Sequence, residues 1–363
     1  MPKINLKALS KDELKEFVKK YGLPDYRAKQ ILHWIYEKKV ESIKDITELS
    51  RTLREKLSDV AYISNLQLLN RQTSSDGTEK FLFGLEDGES IESVLIPDED
   101  RLTLCISSQV GCTMGCGFCL TGKIGFKRNL MAFEIVDQII AVMQVKSEKL
   151  KVKNSESKIP PLHPPLLKGG ARGITNIVFM GMGEPLLNFD NVVEALRRIT
   201  EFLGFSRRRI TLSTCGIAPK IPELYKKAPH VNLAISLNAA ANDVRDMLMP
   251  VNKKYPIEAL ISACKKIPLS PQSKITFEYV MLDGLNDSPD DAKRLVKLLK
   301  NIPSKVNLIP FNPYDGGKLK RPSDDKVLTF QKILIGGDIT VFIRKSKGQD
   351  ILAACGQLKA GYK

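Results

Sequence analysis

The run Cys112-Thr113-Met114-Gly115-Cys116-Gly117-Phe118-Cys119 sets three thiols in one short loop, with the spacing Cys-x3-Cys-x2-Cys. Three ligands rather than four is the informative count. Cysteine thiolates hold iron–sulfur clusters, and a cubane held by only three keeps one iron open to a small molecule. A closed structural metal site has no such vacancy. Zinc is the competing reading, because three clustered cysteines and a distant fourth ligand are a common structural arrangement. The chain has only His33, His163 and His230, none in a ligand-like pair, and no second Cys-x2-Cys. Zinc loses ground on that inventory.

Outward from this loop, the chain repeats strand, loop and helix. Short apolar runs predict strands at Leu102 to Ile106, Asn176 to Met180, Ile210 to Ser213, Val231 to Leu237, Lys274 to Met281 and Val306 to Pro310. Ile135, Ile139, Val142 and Met143 form one face of the helix after the loop. Six strands alternating with helices imply an α/β fold, a parallel sheet curled as a partial (β/α)6 barrel, with its site at the strands' C-terminal ends. A last strand, Ile339 to Ile343, leads into the tail.

The first hundred residues read differently. Ser10-Lys11-Asp12-Glu13 forms a capping box, and Tyr26 to Tyr36 has apolar residues at helical spacing. Trp34 and Ile35 fit a core face there, with contact to RNA the other reading. Lys80 to Leu85 and Ile91 to Ile96 flank Glu86-Asp87-Gly88, an Asp-Gly step that marks a hairpin. The expected organisation is an accessory unit of helices and a hairpin over residues 1–100, a core over 101–350 and a tail over 351–363. Residues 147–173, rich in Lys, Ser, Pro and Gly, read as a flexible surface insertion, with His163 solvated.

Composition narrows the class. At 363 residues and 43% hydrophobic content the chain suits a sizeable core. The N-terminus has no apolar leader, and no stretch approaches a membrane span, so the reading is a cytoplasmic protein with no membrane partner. Seven cysteines, an odd number, argue for reduced thiols that bind metal or react. A formal charge of +15 favours a polyanionic partner, nucleic acid before others. Arg207-Arg208-Arg209, Lys318 with Lys320 and Arg321, and Arg344-Lys345 with Lys347 concentrate that charge.

Polar residues at strand ends carry the candidate chemistry. Gly181-Met182-Gly183-Glu184-Pro185 follows the second barrel strand, where a glycine turn admits a ligand and Glu184 can accept from an ammonium group. Ser213, Ser236 with Leu237 and Asn238, and Asn312 end later strands and could ring the barrel mouth. Cys105 lies on the first barrel strand and Cys355 in the tail. Cys215 and Cys264 read as packing residues.

Together, Cys112-x3-Cys116-x2-Cys119, Gly-Met-Gly-Glu-Pro, Ser213-Thr214-Cys215-Gly216, Ser236-Leu237-Asn238-Ala239, Pro310-Phe311-Asn312-Pro313 and Ala-Ala-Cys355-Gly-Gln-Leu resemble the RlmN/Cfr family of radical S-adenosylmethionine (SAM) RNA methyltransferases. The resemblance spans nearly the whole chain, from Tyr26-Arg27-Ala28-Lys29-Gln30 onward. It implies one 4Fe-4S cluster on Cys112, Cys116 and Cys119, and SAM as both methyl donor and radical source. SAM would contact Gly183, Glu184, Ser213, Ser236, Leu237, Asn238 and Asn312. Cys355 would carry an S-methylcysteine intermediate, a role that asks for an accessible, activated thiol. Cys105 would be the resolving thiol that forms a transient disulfide with it, and Glu92 the proton acceptor.

The implied product is adenine methylated at C2 in 23S ribosomal RNA and in some tRNAs. The C8 product of the antibiotic-resistance sibling shares every motif. The implied partners are these RNAs and a one-electron reductant such as flavodoxin or ferredoxin, with the protein a monomer. Cys105 could itself take the ring proton, and Glu92 on a hairpin could equally be a plain surface carboxylate. A zinc-dependent RNA-binding protein and a radical SAM activase unrelated to RNA are the readings from other classes. The departures from the family pattern are the long Pro-rich insertion, Cys215 where an aliphatic residue is usual, and Gln349 where Asp is frequent.

Overall fold

A computed structural model describes residues 2–156, 173–314 and 316–359. One ten-stranded sheet organises it, and its spatial order equals its order in the chain. The strands are β1 (Gln67–Thr73), β2 (Glu79–Gly84), β3 (Ser90–Asp98), β4 (Arg101–Cys105), β5 (Asn176–Phe179), β6 (Ile210–Thr214), β7 (Asn232–Ser236), β8 (Ile275–Met281), β9 (Ser304–Pro310) and β10 (Thr340–Ile343). Strands β1 to β4 pair antiparallel, and β4 to β10 pair parallel with helices as crossovers. The last strand therefore does more than lead to the tail: it extends the parallel run beyond the six expected strands.

The parallel strands form from short apolar runs because helices cover them, so their side chains are buried on more than one face. Phe277, Tyr279 and Met281 of β8 and Val306 and Leu308 of β9 are fully buried. The hairpin closes where the Asp-Gly step predicts, with Gly84 opposite Ser90. The same sheet then runs on from the hairpin into the barrel, because Val94 of β3 pairs with Cys105 of β4. Glu92 and Val94 share a face of β3, so Glu92 lies on the Cys105 side of the sheet.

Helices Lys11–Lys20, Tyr26–His33 and Arg51–Val60 form the N-terminal unit. Ser10 and Glu13 make the reciprocal capping box. Ile35 is buried, whereas Trp34 is half-buried and donates its indole N–H to Glu48 at 2.8 Å, so only part of its ring serves the core. Two buried polar contacts fasten the unit to the barrel. Lys7 pairs with Asp137 at 2.8 Å, and Arg198 donates to the carbonyls of Lys7 and Leu9 and to the Tyr36 hydroxyl.

Burial raises the Asp137 carboxyl to about 6 despite Lys7. A carboxyl with its folded pKa above its unfolded value supports the fold at low pH, and that support fades as pH rises from about 4 to about 6. Lys7→Met removes the partner of a buried charge and should destabilise the protein by roughly 3 kcal/mol at pH 7.5. The loss should shrink at pH 5, where Asp137 takes up a proton. Urea unfolding followed by the fluorescence of Trp34, the single tryptophan, measures both values.

Most of the 147–173 insertion, with His163, lies outside the described residues. Among the described residues, no helix is long and apolar enough to cross a membrane.

Candidate active site

The cysteine loop is pinched at its base, where Gln109–Gly111 pairs antiparallel with Phe126–Asn129. Gly111 takes φ +74°, and a Cβ there would lie 1.8 Å from the Gly125 carbonyl oxygen. That oxygen accepts the Cys112 N–H at 2.9 Å. Within the loop, Cys119 N–H donates to Cys116 O at 3.1 Å, and Gly117 N–H donates to Leu248 O at 2.9 Å.

The three thiols lie within electrostatic reach of one another. Burial, with Cys119 and Cys116 nearby, pushes Cys112 up to about 12, and burial also raises Cys119. Cys116 moves down because the Cys215 thiol donates to it, and Cys215 is held up in return. Buried thiols lose their protons when a metal takes their place, so this donor set fits a thiolate-ligated group. Among the described residues, no three His, Cys, Asp or Glu side chains converge on a single ion. His33 faces Glu37, and His230 faces the carbonyl of Tyr225.

Beside the loop, Gly183 takes φ +100°, and a Cβ there would meet Gln109 at 2.5 Å. Glu184 is 1% exposed, and its carboxylate accepts from Leu186 N–H (3.0 Å), Thr214 Oγ1 (2.7 Å) and Cys215 N–H (2.6 Å). Desolvation still raises it. Glu184 therefore ties the turn to the end of β6.

Ser213 and Ser236 are half-buried near the C-terminal ends of β6 and β7. Leu237 is fully buried, with N–H on Glu278 O and its carbonyl on Arg245, so it offers a wall rather than a polar contact. Asn238, at φ +59°, spends its amide on Val280 N–H and the Met249 sulfur. Asn312 accepts from Ser346 and from Gln349, the latter at 2.7 Å. The unusual Gln349 thus holds a candidate SAM contact.

The tail is fastened from two sides. The β1–β2 turn takes Asp350 through Ser74 and Ser75, and Gly348 through Asp76. On the cysteine-loop side, Leu120 N–H donates to Gly356 O and Thr121 to Leu358 O, both at 2.7 Å. Glu92 is not the solvent-facing carboxylate that a hairpin allows. It is 5% exposed, accepts the Lys359 N–H at 2.7 Å and pairs with Lys80 at 3.3 Å. A cavity of about 270 Å³ between the hairpin and the tail leaves Glu92 one open side.

Cys105 and Cys355, from distant parts of the chain, lie within electrostatic reach of each other. Cys105 is buried and its thiol is pushed far up. Cys355 is exposed yet ringed by protein, and desolvation with Glu278 nearby pushes it up to about 11 against the pull of Arg344. The environment therefore supplies accessibility at Cys355 without the activation that a nucleophile asks for.

Comparisons with known proteins place the chain in a family. Residues 4–63 match the ribosomal RNA large subunit methyltransferase N-terminal domain. Residues 166–299 match the radical SAM superfamily, a span that begins beyond the cysteine loop. The dual-specificity RNA methyltransferase RlmN of Syntrophobacter fumaroxidans is 48% identical over 364 residues, covering 100% of both chains.

The chain belongs to the RlmN family.

The RlmN of Pelobacter propionicus is 48% identical over 98% of this chain and 96% of its own. The crystal structure of a radical SAM methyltransferase from Sphaerobacter thermophilus superposes with a TM-score of 0.86 at 39% identity, covering 98% of this chain and 99% of that one.

Against this RlmN-type frame, the basic clusters divide. Arg207, Arg208 and Arg209 are exposed before β6 begins, at the end of the barrel away from the site. Lys318, Lys320 and Arg321 follow β9, and Arg344 and Lys345 follow β10, so these stand at the mouth. Lys80, Gln109, Thr214 and Arg245 are contacts that sequence reasoning missed. Gln109 and Thr214 have local signals, lying three residues before Cys112 and inside the Ser213-Thr214-Cys215-Gly216 motif; Lys80 and Arg245 have none.

Proposed function

We propose that this protein methylates C2 of an adenine in 23S ribosomal RNA and in some tRNAs, with Cys355 as methyl carrier and Cys105 as resolving thiol. The observation that carries the reading is that Cys105 and Cys355 lie within electrostatic reach of each other beside the cysteine loop, with Glu92 bound to the same tail at Lys359, in a chain of the RlmN family. Cys112, Cys116 and Cys119 would hold a 4Fe-4S cluster. Gly183, Ser213, Ser236, Asn238 and Asn312 would line the SAM site, with Glu184 fixing its floor and Leu237 its wall. Cluster and SAM, when bound, supply the one-electron cleavage that takes hydrogen from a methyl group.

Adenine C2 has no nucleophilic lone pair, so a polar methyl transfer cannot reach it directly. Cys355 Sγ, as thiolate, takes the methyl of one SAM by displacement, and the bonding pair leaves with the SAM sulfur. Once the carbon of that methyl is joined to the ring, the odd-electron adduct returns one electron to the one-electron carrier and gives its ring proton to Glu92. Cys105 as thiolate then attacks Sγ of Cys355; the carbon–sulfur bond breaks, its electron pair goes to the carbon, which takes up a proton to become the new methyl group, and a disulfide remains for an external thiol to reduce. The basic mouth would grip the RNA while a single adenine is presented unstacked.

The reading treats residues 1–100 as the RNA-facing accessory unit, 101–350 as the core and 351–363 as the carrier tail. The external electron source would be a one-electron reductant such as flavodoxin or ferredoxin, the acting species a monomer and the compartment the cytoplasm. Anaerobically reconstituted protein, SAM and reductant with unmodified RNA should yield 2-methyladenosine by nucleoside mass spectrometry. 8-Methyladenosine would replace C2 with the sibling specificity, and no methylated adenine from protein that cleaves SAM would overturn the substrate.

A further inference from the structure

Arg245 is the largest fully buried side chain among the described residues, and its partners are all neutral. Its Nε donates to Leu237 O at 2.9 Å, one terminal nitrogen to Asn252 Oδ1 at 2.8 Å, and the other to Cys215 O at 2.7 Å and Ser236 O at 3.3 Å. None of the ion pairs among the described residues includes it. Asp246 is one amide removed, accepting from Asn252 at 2.7 Å. A buried cation without an adjoining anion loses several kcal/mol of hydration with little return. A ligand that brings the opposite charge would offset that loss.

The position says which ligand. Arg245 belongs to the helix Asn242–Leu248, whose last carbonyl accepts the Gly117 N–H of the cysteine loop. Carbonyls at a helix C-terminus, together with those of Cys215, Ser236 and Leu237 at the strand ends, make this region negative. An anionic cluster would be disfavoured there without a compensating cation. Gly216, from the Ser-Thr-Cys-Gly motif, leaves the room: a Cβ would stand 3.3 Å from the guanidinium and 3.0 Å from Leu260.

We propose that Arg245 is the built-in countercharge of the three-thiolate cluster, favouring its reduced form. Reduction adds one negative charge beside three thiolates, so a fixed buried cation stabilises the reduced state more than the oxidised one. Arg245 acts through the field at the cluster and is a positioning and tuning residue rather than a catalytic one. The inference rests on the cluster assignment above. Failure of that assignment would appear first, as wild-type protein lacking a 4Fe-4S signal after reconstitution.

The test is a redox titration followed by electron paramagnetic resonance, with and without SAM, on wild type, Arg245→Gln and Arg245→Lys. Loss of the charge in the Gln variant should shift the reduced-to-oxidised ratio about tenfold toward oxidised at fixed poise, about 59 mV for one electron. The shift should appear in the absence of SAM. The Lys variant keeps the charge while losing hydrogen bonds, so its ratio should stay within about threefold of wild type. Should the Gln variant fail to take up a cluster, the Lys variant still decides. A tenfold shift in Arg245→Lys, or equal shifts in both variants, would assign Arg245 to hydrogen bonding alone. An unchanged SAM-free potential with weakened SAM binding would make the SAM carboxylate its partner, and the proposal would fall.

Discussion

A Cys355→Ala variant should load its iron–sulfur cluster, cleave SAM under reducing conditions and yield no methylated adenine, a loss of roughly a thousandfold or more in product formation. The split follows from where the residue sits. Cys355 lies in a tail held by the β1–β2 turn and by Leu120 and Thr121, so the substitution removes a thiol without disturbing the loop proposed to hold the cluster. Removing that thiol leaves no atom to carry the methyl group, and no neighbour can replace it because Cys105 is buried. Mass spectrometry of the protein itself should show a 14-dalton methyl mark on Cys355 in wild type, about the mass of one CH2 group, and none in the variant. Product formation by Cys355→Ala would remove the carrier mechanism entirely. The companion Cys105→Ala should keep the methyl mark and stall with RNA covalently attached, because nothing then attacks the sulfur.

Gly111→Ala should be nearly as damaging to activity, for a steric reason. The new methyl group would fall 1.8 Å from the Gly125 carbonyl oxygen, far inside contact distance, at a backbone φ of +74° that alanine resists. Relief requires moving Gly125, and with it the 2.9 Å bond that orients Cys112. The expected result is a loss of about 3 kcal/mol or more in stability with failure to retain the cluster. Iron and sulfide analysis after anaerobic reconstitution, beside urea unfolding of the apoprotein, separates the two effects. Full cluster content in Gly111→Ala would show that the loop tolerates a displaced base. Gly88 is the control, since its φ is also positive but a Cβ there meets nothing.

The parallel strands were legible in the sequence because helices bury them, which leaves short apolar runs with abrupt polar ends. Each predicted barrel strand was found within two residues at either boundary. The cysteine loop, the Gly-Met-Gly-Glu turn and the tail cysteine were legible because their chemistry is concentrated in adjacent residues. Arg245 was not, since a helix carrying Asp243, Arg245 and Asp246 reads as solvated, and only the fold turns one of the three inward. Lys80 was hidden because β2 is buried on both faces, which erases the alternation that would mark an inward charge. A hairpin position leaves Glu92 open to two readings, proton acceptor or surface carboxylate, and only the fold shows the tail, distant in sequence, lying across it. The boundary expected at residue 100 falls inside the sheet, because backbone pairing from Val94–Cys105 to Asp98–Arg101 carries it straight through.

The sequential order of the sheet has a consequence for how the protein comes into being. Each strand from β2 to β10 pairs with the strand made just before it, so a chain emerging from the ribosome can add strands one at a time with partners already in place. The tail is the exception. With the residues leading into it, it makes contacts that reach back to Ser74, Asp76, Glu92 and Leu120, all synthesised well before it. A tail that carries the methyl group would therefore dock only after the strands that receive it are in place. A product truncated just before Cys355 would be folded, able to hold its cofactors and chemically silent.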